Sequence, residues 1–263
     1  MGTSVVTPTF RYHPAIVAQA SATLAVLFPT RVFLGVGSGE SMNETPVTAG
    51  EWPEAGERVR RLREAVRLMK RLWTEEYVTF EGKYFKTREA KIFDKPEGGV
   101  PLHIAGAGPQ VAEFAGKEAD GFICTSGKGA ELYRDVLLPA LEKGAREAGR
   151  DPSKIERMIE MKVSYDSDRG RALADTREWA ALALPAEEKA GVEDPREMEK
   201  RAKAAEGKAH TRFIVSTDPD EHVAQIKPYL DWGFDHLVFH FPGQDQERAL
   251  RFYAKEVLPR LRR

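Results

Sequence analysis

The sequence predicts a parallel α/β fold, because short apolar runs alternate with longer amphipathic stretches along its 263 residues. Several of these runs are continuously apolar, as strands covered on both faces of a parallel sheet are. Glycines and polar residues collect directly after them. The runs predicted as strands are residues 3–7, 31–37, 101–106, 121–125, 158–165 and 236–241. The pattern fits both an open sheet and a (β/α)8 barrel, although six strands do not close such a barrel.

The helical stretches carry clear start signals. Apolar residues recur at spacings of three and four over residues 52–73, which predicts a long amphipathic helix. Asp194-Pro195 and Asp218-Pro219 predict two further helix starts, with the aspartate as N-cap. Residues 77–85 predict a small hairpin, and residues 184–212 predict a charged, mostly helical insertion. We expect all of these elements to belong to a single domain, residues 1–263.

Composition excludes several classes of protein. The net charge of −1 gives no basic field for nucleic acid. The sustained apolar stretch at residues 16–28 is too short and too interrupted to span a bilayer. We expect a cytoplasmic protein, because no signal-peptide pattern opens the chain and the single cysteine, Cys124, suits a reducing compartment. His236 and His240 are four residues apart, but they lie on a predicted strand, where that spacing separates them by about 13 Å, so we expect no metal.

Gly37-Ser38-Gly39-Glu40 directly follows a predicted strand. Its glycines would let the backbone approach a planar ligand closely, and Glu40 would offer that ligand a carboxylate. The alternative interpretation is a tight turn with an exposed glutamate. The motif is not a dinucleotide fingerprint, because Met42 stands where the third glycine would be.

Thr125-Ser126-Gly127-Lys128-Gly129 follows another predicted strand and precedes a helix. It offers hydroxyls, free backbone N–H groups and an ammonium group, which suits a phosphate. The alternative is a plain loop with a solvated lysine. Lys189 and Arg212 lie in the predicted insertion, where a solvated surface role is the alternative. Four residues are most simply explained by packing or helix capping: His13, Cys124, Trp179 and His240.

Long segments in a consistent order resemble the coenzyme F420-dependent glucose-6-phosphate dehydrogenases. The first two are TSVVTPTFRY at residues 3–12 and RVFLGVGSGE at residues 31–40, followed by Asn43. The others are GFICTSGKG at residues 121–129, MIEMKVSYD at residues 158–166, DHLVFH at residues 235–240, and Pro242-Gly243. The resemblance covers essentially the whole chain.

This resemblance implies a luciferase-like (β/α)8 TIM barrel that is N-terminally truncated, with about six of its eight strands present. It also implies a homodimer, with coenzyme F420 across the carboxyl-terminal mouth of the barrel. The family's first two βα units, which carry an Asp-His pair and an active-site tryptophan, would precede Met1. A non-proline cis peptide is expected after Ser4. The residues that match cofactor-lining positions are Ser4, Val5, Thr7, Ser38, Gly39, Asn43, Ala107, Gly108, Gln110 and Val111.

The implied reaction transfers a hydride from C1 of glucose 6-phosphate to F420 and gives 6-phosphogluconolactone. Glu40 matches the catalytic carboxylate. Thr125, Lys128, Lys189 and Arg212 match the pocket for the substrate phosphate. Two lysines and a fork-shaped arginine complement the nearly two negative charges of a sugar phosphate.

Two other hypotheses stay open at this point. Another F420- or FMN-dependent oxidoreductase on the same barrel would not need Lys128, Lys189 and Arg212 together. A truncated barrel could also be catalytically impaired. The loss of two strands would expose sheet edges and apolar interior, so this hypothesis predicts poor solubility or compensating association.

Overall fold

Parallel pairing joins the main strands of the computed structural model, which describes residues 1–261; Arg262 and Arg263 lie outside the described residues. The strands are β1 (Leu34–Val36), β2 (Val78–Glu81), β3 (Lys86–Ala90), β4 (Leu102–Ala105), β5 (Gly121–Thr125), β6 (Glu156–Tyr165), β7 (Ile214–Ser216) and β8 (His236–His240). Six of these, β1 and β4 to β8, take part in parallel pairing.

Helices separate most of these strands. They are α1 (Pro14–Leu27), α2 (Ser41–Thr48), α3 (Ala55–Thr74), α4 (Pro109–Glu118), α5 (Leu138–Glu147), α6 (Arg169–Asp175), α7 (Ala186–Lys189), α8 (Pro195–Ala204), α9 (Pro219–Asp231), α10 (Gln246–Phe252) and α11 (Leu258–Leu261). Shorter 3-10 turns cover Pro152–Lys154, Arg177–Ala183 and Glu206–Arg212, and π-helical turns cover Leu132–Leu137 and Tyr253–Val257. None of the helices within residues 1–261 combines the length and the apolar character needed to cross a bilayer.

The predicted helix signals are confirmed. Asp194 and Asp218 cap α8 and α9, and each carboxylate accepts the N–H group two residues later at 2.9 Å. The long amphipathic helix is α3, whose apolar stripe is buried along its length. It begins at Ala55 rather than at Trp52, because the residue before Pro53 is disfavoured in helical conformation.

The chain divides into two compact units. Unit 1 comprises Met1–Ile123 and Arg134–Glu156, and unit 2 comprises Cys124–Tyr133 and the described residues from Arg157 onward. The single-domain organisation stays a prediction. In unit 1, β4 pairs with β1 and with the first part of β5. All three residues of β1 are buried, as expected for a strand covered on both faces.

Residues 3–7 differ from the regular strand predicted for them. Two isolated parallel bridges, Gly2 with Phe33 and Val6 with Val36, join this N-terminal segment to the β1 region. Between them the Thr3 hydroxyl donates to the Gly35 carbonyl at 2.8 Å, and the Gly35 N–H donates to it at 3.1 Å. The Gly35 carbonyl also accepts the Val6 N–H at 3.0 Å, but for the Gly35 N–H a side-chain oxygen takes the place of a backbone acceptor, and the regular ladder is interrupted there.

In unit 2, β6 pairs with β8 through Met158–Lys162 and with β7 through Val163–Tyr165. β7 is a strand that the sequence pattern did not predict. It has three residues between the 3-10 turn Glu206–Arg212 and the Asp218 cap, which is too short for a periodic signal.

The two other predicted features are visible as local structure. β2 and β3 form an antiparallel hairpin around Gly82, which confirms the predicted hairpin and extends it to Ala90. Residues 184–212 contain α7, α8 and the 3-10 turn that ends at Arg212.

Candidate active site

Three segments of unit 1 carry the residues predicted to line the cofactor. β1 runs into residues 37–40, and its parallel neighbour β4 runs into residues 106–111. The N-terminal segment, which bridges to β1 through Val6, carries Ser4, Val5 and Thr7. The peptide bond between Ser4 and Val5 is cis, as the resemblance implied. The carboxyl ends of neighbouring parallel strands share one edge of a sheet, so these segments lie along the same edge.

Gly37 and Gly39 let the turn after β1 pack against the N-terminal segment. A Cβ atom on Gly37 would stand 2.9 Å from Cγ2 of Val5, and one on Gly39 would stand 2.9 Å from Cγ2 of Thr7. Gly39 also has a φ of +79°, a conformation that favours glycine. The structure therefore brings Val5, Thr7 and Gly39 together, with the half-buried Ser38 between the two glycines.

Two carboxylates near the start of α2 have opposite environments. Glu40 is the N-cap residue, but its side chain makes no capping bond and is exposed. Within residues 1–261, its one side-chain hydrogen bond is a long one of 3.4 Å from Nδ2 of Asn43. Glu44 is buried and accepts two bonds from Arg11, at 3.0 and 3.1 Å. Because Arg11 occupies Glu44, the carboxylate of Glu40 is the one available to a ligand.

The turn after β4 is open where a ligand would approach it. Gly108 is the N-cap of α4, and a Cβ atom there would meet no atom within 4 Å. Ala107 and Gln110 are exposed, whereas Val111 covers the backbone at Gly106. The N-terminus of α4 carries a partial positive charge, which suits an anionic group.

In unit 2, two tyrosines hold the loop after β5. The Tyr229 hydroxyl accepts the Gly127 N–H at 3.3 Å. The Tyr133 hydroxyl accepts the Lys128 N–H at 3.2 Å and donates to the Thr125 carbonyl at 2.8 Å. The prediction of free backbone N–H groups is therefore wrong at Gly127 and Lys128. The Thr125 hydroxyl and the Lys128 ammonium remain as groups that an anion can contact.

Arg212 lies against this loop. A Cβ atom on Gly127 would stand 3.7 Å from Nε of Arg212 and 3.9 Å from its Nη2. The Arg212 Nε is buried without a hydrogen-bond partner, and no carboxylate within residues 1–261 pairs with Arg212 or Lys128. A cavity of about 340 Å³ opens beside Arg212, which lines it together with the buried Lys162. Arg212 is thus a cation at a cavity without a carboxylate partner within residues 1–261, which favours an anionic ligand.

Lys189 occupies a separate position in unit 2. It is the last residue of α7 and is half-buried, and its carbonyl accepts the Val192 N–H at 3.3 Å. The 3-10 turn that ends at Arg212 packs against Arg177–Ala183 and against α8. Lys189 and Arg212 thus lie on different elements of the predicted insertion, and their joint action on a phosphate stays a prediction.

A further polar group emerges in unit 2 that the sequence interpretation missed. On β6, Oε2 of Glu160 accepts a bond of 3.2 Å from Nζ of Lys162, and its Oε1 lies 3.1 Å from Nδ1 of His240 on β8. Burial raises the pKa of Glu160, but the bond to His240 and the charge of Lys162 outweigh it and hold the pKa below its ordinary value. The available signal was two charged residues on one face of an otherwise apolar strand.

Two residues expected to have packing or capping roles do have them. His13 caps α1, its Nδ1 accepting the Ala15 N–H at 3.2 Å. Cys124 is buried, and burial raises the pKa of its thiol to about 12, so the reactive thiolate is suppressed at neutral pH. His240, in contrast, belongs to the polar group around Glu160.

Comparisons with known proteins agree on one family. A sequence profile described as "Luciferase-like monooxygenase" matches residues 1–236. The F420-dependent glucose-6-phosphate dehydrogenase of Mycolicibacterium gilvum (strain PYR-GCK) is 55% identical over 265 aligned residues, covering 100% of this chain and 79% of that protein. The F420-dependent glucose-6-phosphate dehydrogenase 1 of Rhodococcus jostii (strain RHA1) is 56% identical, with the same coverage.

Solved structures give the same result. An F420-dependent secondary alcohol dehydrogenase in complex with an F420-acetone adduct superposes with a TM-score of 0.91 at 36% identity, covering 100% of this chain and 79% of that one. The coenzyme F420 dependent tetrahydromethanopterin reductase of Methanopyrus kandleri superposes with a TM-score of 0.80, covering 99% and 83%. At 23% identity, that second likeness concerns the fold alone.

Proposed function

The chain belongs to the luciferase-like monooxygenase family, and from this premise we propose that it transfers a hydride from C1 of glucose 6-phosphate to coenzyme F420, giving 6-phosphogluconolactone. The family also confirms the predicted fold class, an α/β fold of the luciferase-like barrel type. The observation that carries the choice of substrate is the cationic site of unit 2. There Arg212 lines a cavity, and neither Arg212 nor Lys128 has a carboxylate partner within residues 1–261.

The residues of unit 1 fit the cofactor. Gly37 and Gly39 lack the Cβ atoms that would meet the N-terminal segment, and Gly108 has open space beside it at the start of α4. We propose that these turns hold F420, which supplies the hydride acceptor when it is bound. The proposed contacts come from Ser4, Val5, Thr7, Ser38, Gly39, Asn43, Ala107, Gly108, Gln110 and Val111.

The residues of unit 2 hold the substrate in this proposal. Arg212 and Lys128, joined by Lys189 and the Thr125 hydroxyl, bind the phosphate group. A planar guanidinium can bind two phosphate oxygens at once, and lysines add compact positive charge. The phosphate is remote from C1, so its binding energy serves to position the reacting carbon.

Glu40 is the residue of this chain that handles a proton in the reaction. Oxidation at C1 removes a hydride from carbon and a proton from the C1 hydroxyl, so an acid–base pair is required. The Glu40 carboxylate is exposed and lacks a strong partner within residues 1–261, so it can serve as one member of that pair.

We also propose a cytoplasmic homodimer. The composition supports the compartment and the resemblance supports the dimer. Unit 1 also has an apolar groove of about 460 Å³ along α1, where Ile16, Leu24 and Phe28 are exposed. Exposed apolar surface of this kind favours association. Light scattering would give the oligomeric state, and a monomer at high concentration would contradict the dimer.

The test of the proposed function is the reduction of F420 by glucose 6-phosphate. The reaction is monitored by the loss of deazaflavin absorbance. Matched reactions with glucose and with a secondary alcohol serve as controls. We expect turnover that needs the phosphate group. Oxidation of the secondary alcohol without oxidation of any sugar phosphate would replace this function with that of the solved alcohol dehydrogenase relative.

A further inference from the structure

One face of the β6–β8 pair carries charged side chains that neither predicted site uses. Glu160 and Lys162 are two residues apart on β6, so their side chains share a face. His240 stands opposite Lys162 in the parallel register. This group has a definite arrangement, because Glu160 accepts from Lys162 with one oxygen and contacts the His240 ring with the other.

The carboxylate of Glu160 retains room for a ligand. Each carboxylate oxygen can accept about two hydrogen bonds, and each oxygen here has one side-chain partner within residues 1–261. The Glu160 side chain is 27% exposed, whereas its partner Lys162 is only 5% exposed. The buried cation therefore holds the carboxylate in place, and the open acceptor positions belong to Glu160.

Aromatic rings border His240, whose ring contacts this carboxylate. The Trp179 ring meets the His240 ring edge-on, with centroids 4.2 Å apart, and its Nε1 donates to the Pro242 carbonyl at 3.3 Å. Phe213 meets His240 at 5.9 Å. Trp179 is partly exposed. A carboxylate and an exposed aromatic ring that contact the same histidine suit a sugar, because the hydroxyl groups of a sugar donate to a carboxylate while its C–H faces contact a ring.

The same group is linked to the residues proposed for the phosphate. The Ser126 N–H, one residue after Thr125, donates to the Glu160 carbonyl at 2.8 Å. The Lys162 N–H in turn donates to the Ser126 hydroxyl at 3.2 Å. On the other side, Phe213 directly follows Arg212 in the sequence. Glu160 is thus fixed relative to the loop that carries Thr125 and Lys128.

We propose that Glu160 and Trp179, which both contact His240, form a subsite of unit 2 for the phosphorylated sugar, that Glu160 accepts from its hydroxyl groups, and that His240 and Lys162 position the Glu160 carboxylate. This inference rests on the proposed function and deepens it, since it assigns residues to the sugar ring rather than to its phosphate. It makes Glu160 a determinant of sugar specificity.

The test combines a change in the protein with a change in the ligand. Binding of glucose 6-phosphate, its 2-, 3- and 4-deoxy analogues and inorganic phosphate would be measured by calorimetry. The proteins are the wild-type chain, Glu160→Gln and the control Glu178→Gln, a neighbouring exposed glutamate. In the wild type we expect at least one deoxy analogue to bind about tenfold to a hundredfold more weakly than glucose 6-phosphate, as loss of a bond to a charged group implies.

Glu160→Gln should weaken the binding of glucose 6-phosphate by a similar factor. Its affinities for that same deoxy analogue and for inorganic phosphate should equal those of the wild type. Equal weakening of every ligand would indicate a structural role and overturn the proposal, as would an unchanged affinity for glucose 6-phosphate. If Glu160→Gln did not fold, Trp179→Phe and the wild-type deoxy series would decide. Wild-type protein that binds every deoxy analogue as well as glucose 6-phosphate overturns this proposal alone, whereas wild-type protein that binds no sugar phosphate overturns the proposed function as well.

Discussion

The loops after β1 and β5 have the same plan but different supports. Each follows a buried strand, contains a glycine at positive φ (Gly39 at +79° and Gly127 at +80°) and places a charged residue next to it. The loop after β1 is fixed by close packing around Gly39. The loop after β5 is fixed by hydrogen bonds from its backbone N–H groups to the hydroxyls of Tyr133 and Tyr229.

This difference determines what each loop offers a ligand. Next to the first loop, Arg11 pairs with Glu44 of α2, which leaves the Glu40 carboxylate available. In the second loop, the tyrosines use the backbone donors, so side chains supply the positive charge. We therefore expect an anion at this site to be bound by cationic side chains rather than by a nest of backbone amides, and its binding should weaken as the ionic strength rises.

Removal of the available carboxylate should have the largest effect on activity. We expect Glu40→Gln to lower kcat by about 10²- to 10⁴-fold, the usual contribution of a general acid or base. F420 affinity should be preserved, because the side chain keeps its shape. Glu51→Gln, a nearby exposed glutamate, is the matched control. A wild-type rate in Glu40→Gln would remove Glu40 from the proposed mechanism.

Loss of the Arg212 guanidinium, which lies against the loop after β5, should weaken substrate binding. We expect Arg212→Ala to raise the KM for glucose 6-phosphate by about 10- to 100-fold, since a bond to a charged group contributes about 1.5–3 kcal/mol. The KM of Arg212→Lys should lie between those of the wild type and Arg212→Ala, because lysine keeps the charge but loses the planar fork of the guanidinium. The control is Arg196→Ala, whose guanidinium pairs with Asp194 at the surface. Equal effects of Arg212→Ala and Arg196→Ala on KM would contradict the assignment.

The two positive-φ glycines, Gly39 and Gly127, should differ in how much stability an alanine substitution costs. A Cβ atom on Gly39 would also stand 3.1 Å from Cγ of Glu44, in addition to its close approach to Thr7, whereas one on Gly127 would meet nothing closer than 3.4 Å. We expect Gly127→Ala to lower the unfolding free energy by about 1 kcal/mol, from the backbone conformation alone. Gly39→Ala should lower it by about 2–3 kcal/mol, because steric overlap adds to the same backbone cost. Denaturant melts of the two variants would measure this difference. Equal losses would mean that packing does not support the first loop.

Local signals in the sequence predicted much of this molecule. The aspartate-proline pairs at Asp194 and Asp218 and the apolar stripe of α3 act within a few residues, and the structure confirms them. The family resemblance led to the same cis peptide after Ser4 that the structure contains. The assignment of individual residues to cofactor and phosphate stays a prediction.

Long-range contacts account for what the sequence could not predict. Tyr229 reaches Gly127 from 102 positions away, and no local pattern indicates that its hydroxyl accepts that N–H. Glu160 and His240 likewise meet from 80 positions apart through strand pairing. The Thr3 hydroxyl replaced a backbone partner in a segment with strand-like composition. In each case a side chain took a partner that only the folded chain brings near.

The tyrosines provide the finest test of how the second loop is supported. Tyr133 is fully buried and its hydroxyl makes two bonds to the loop, whereas the Tyr229 hydroxyl makes one bond of 3.3 Å to Gly127. We expect Tyr133→Phe to lower the unfolding free energy by about 1–2 kcal/mol and Tyr229→Phe by about 0.5–1 kcal/mol, because each leaves a backbone group without its partner. Thermal melts would measure both changes.

If the hydroxyls fix the loop, both variants should also weaken phosphate binding, because the released N–H groups no longer hold Lys128 in one place. The weakening should be larger for Tyr133→Phe. Tighter phosphate binding in either variant would show instead that the freed N–H groups themselves bind the anion, as the sequence had first suggested.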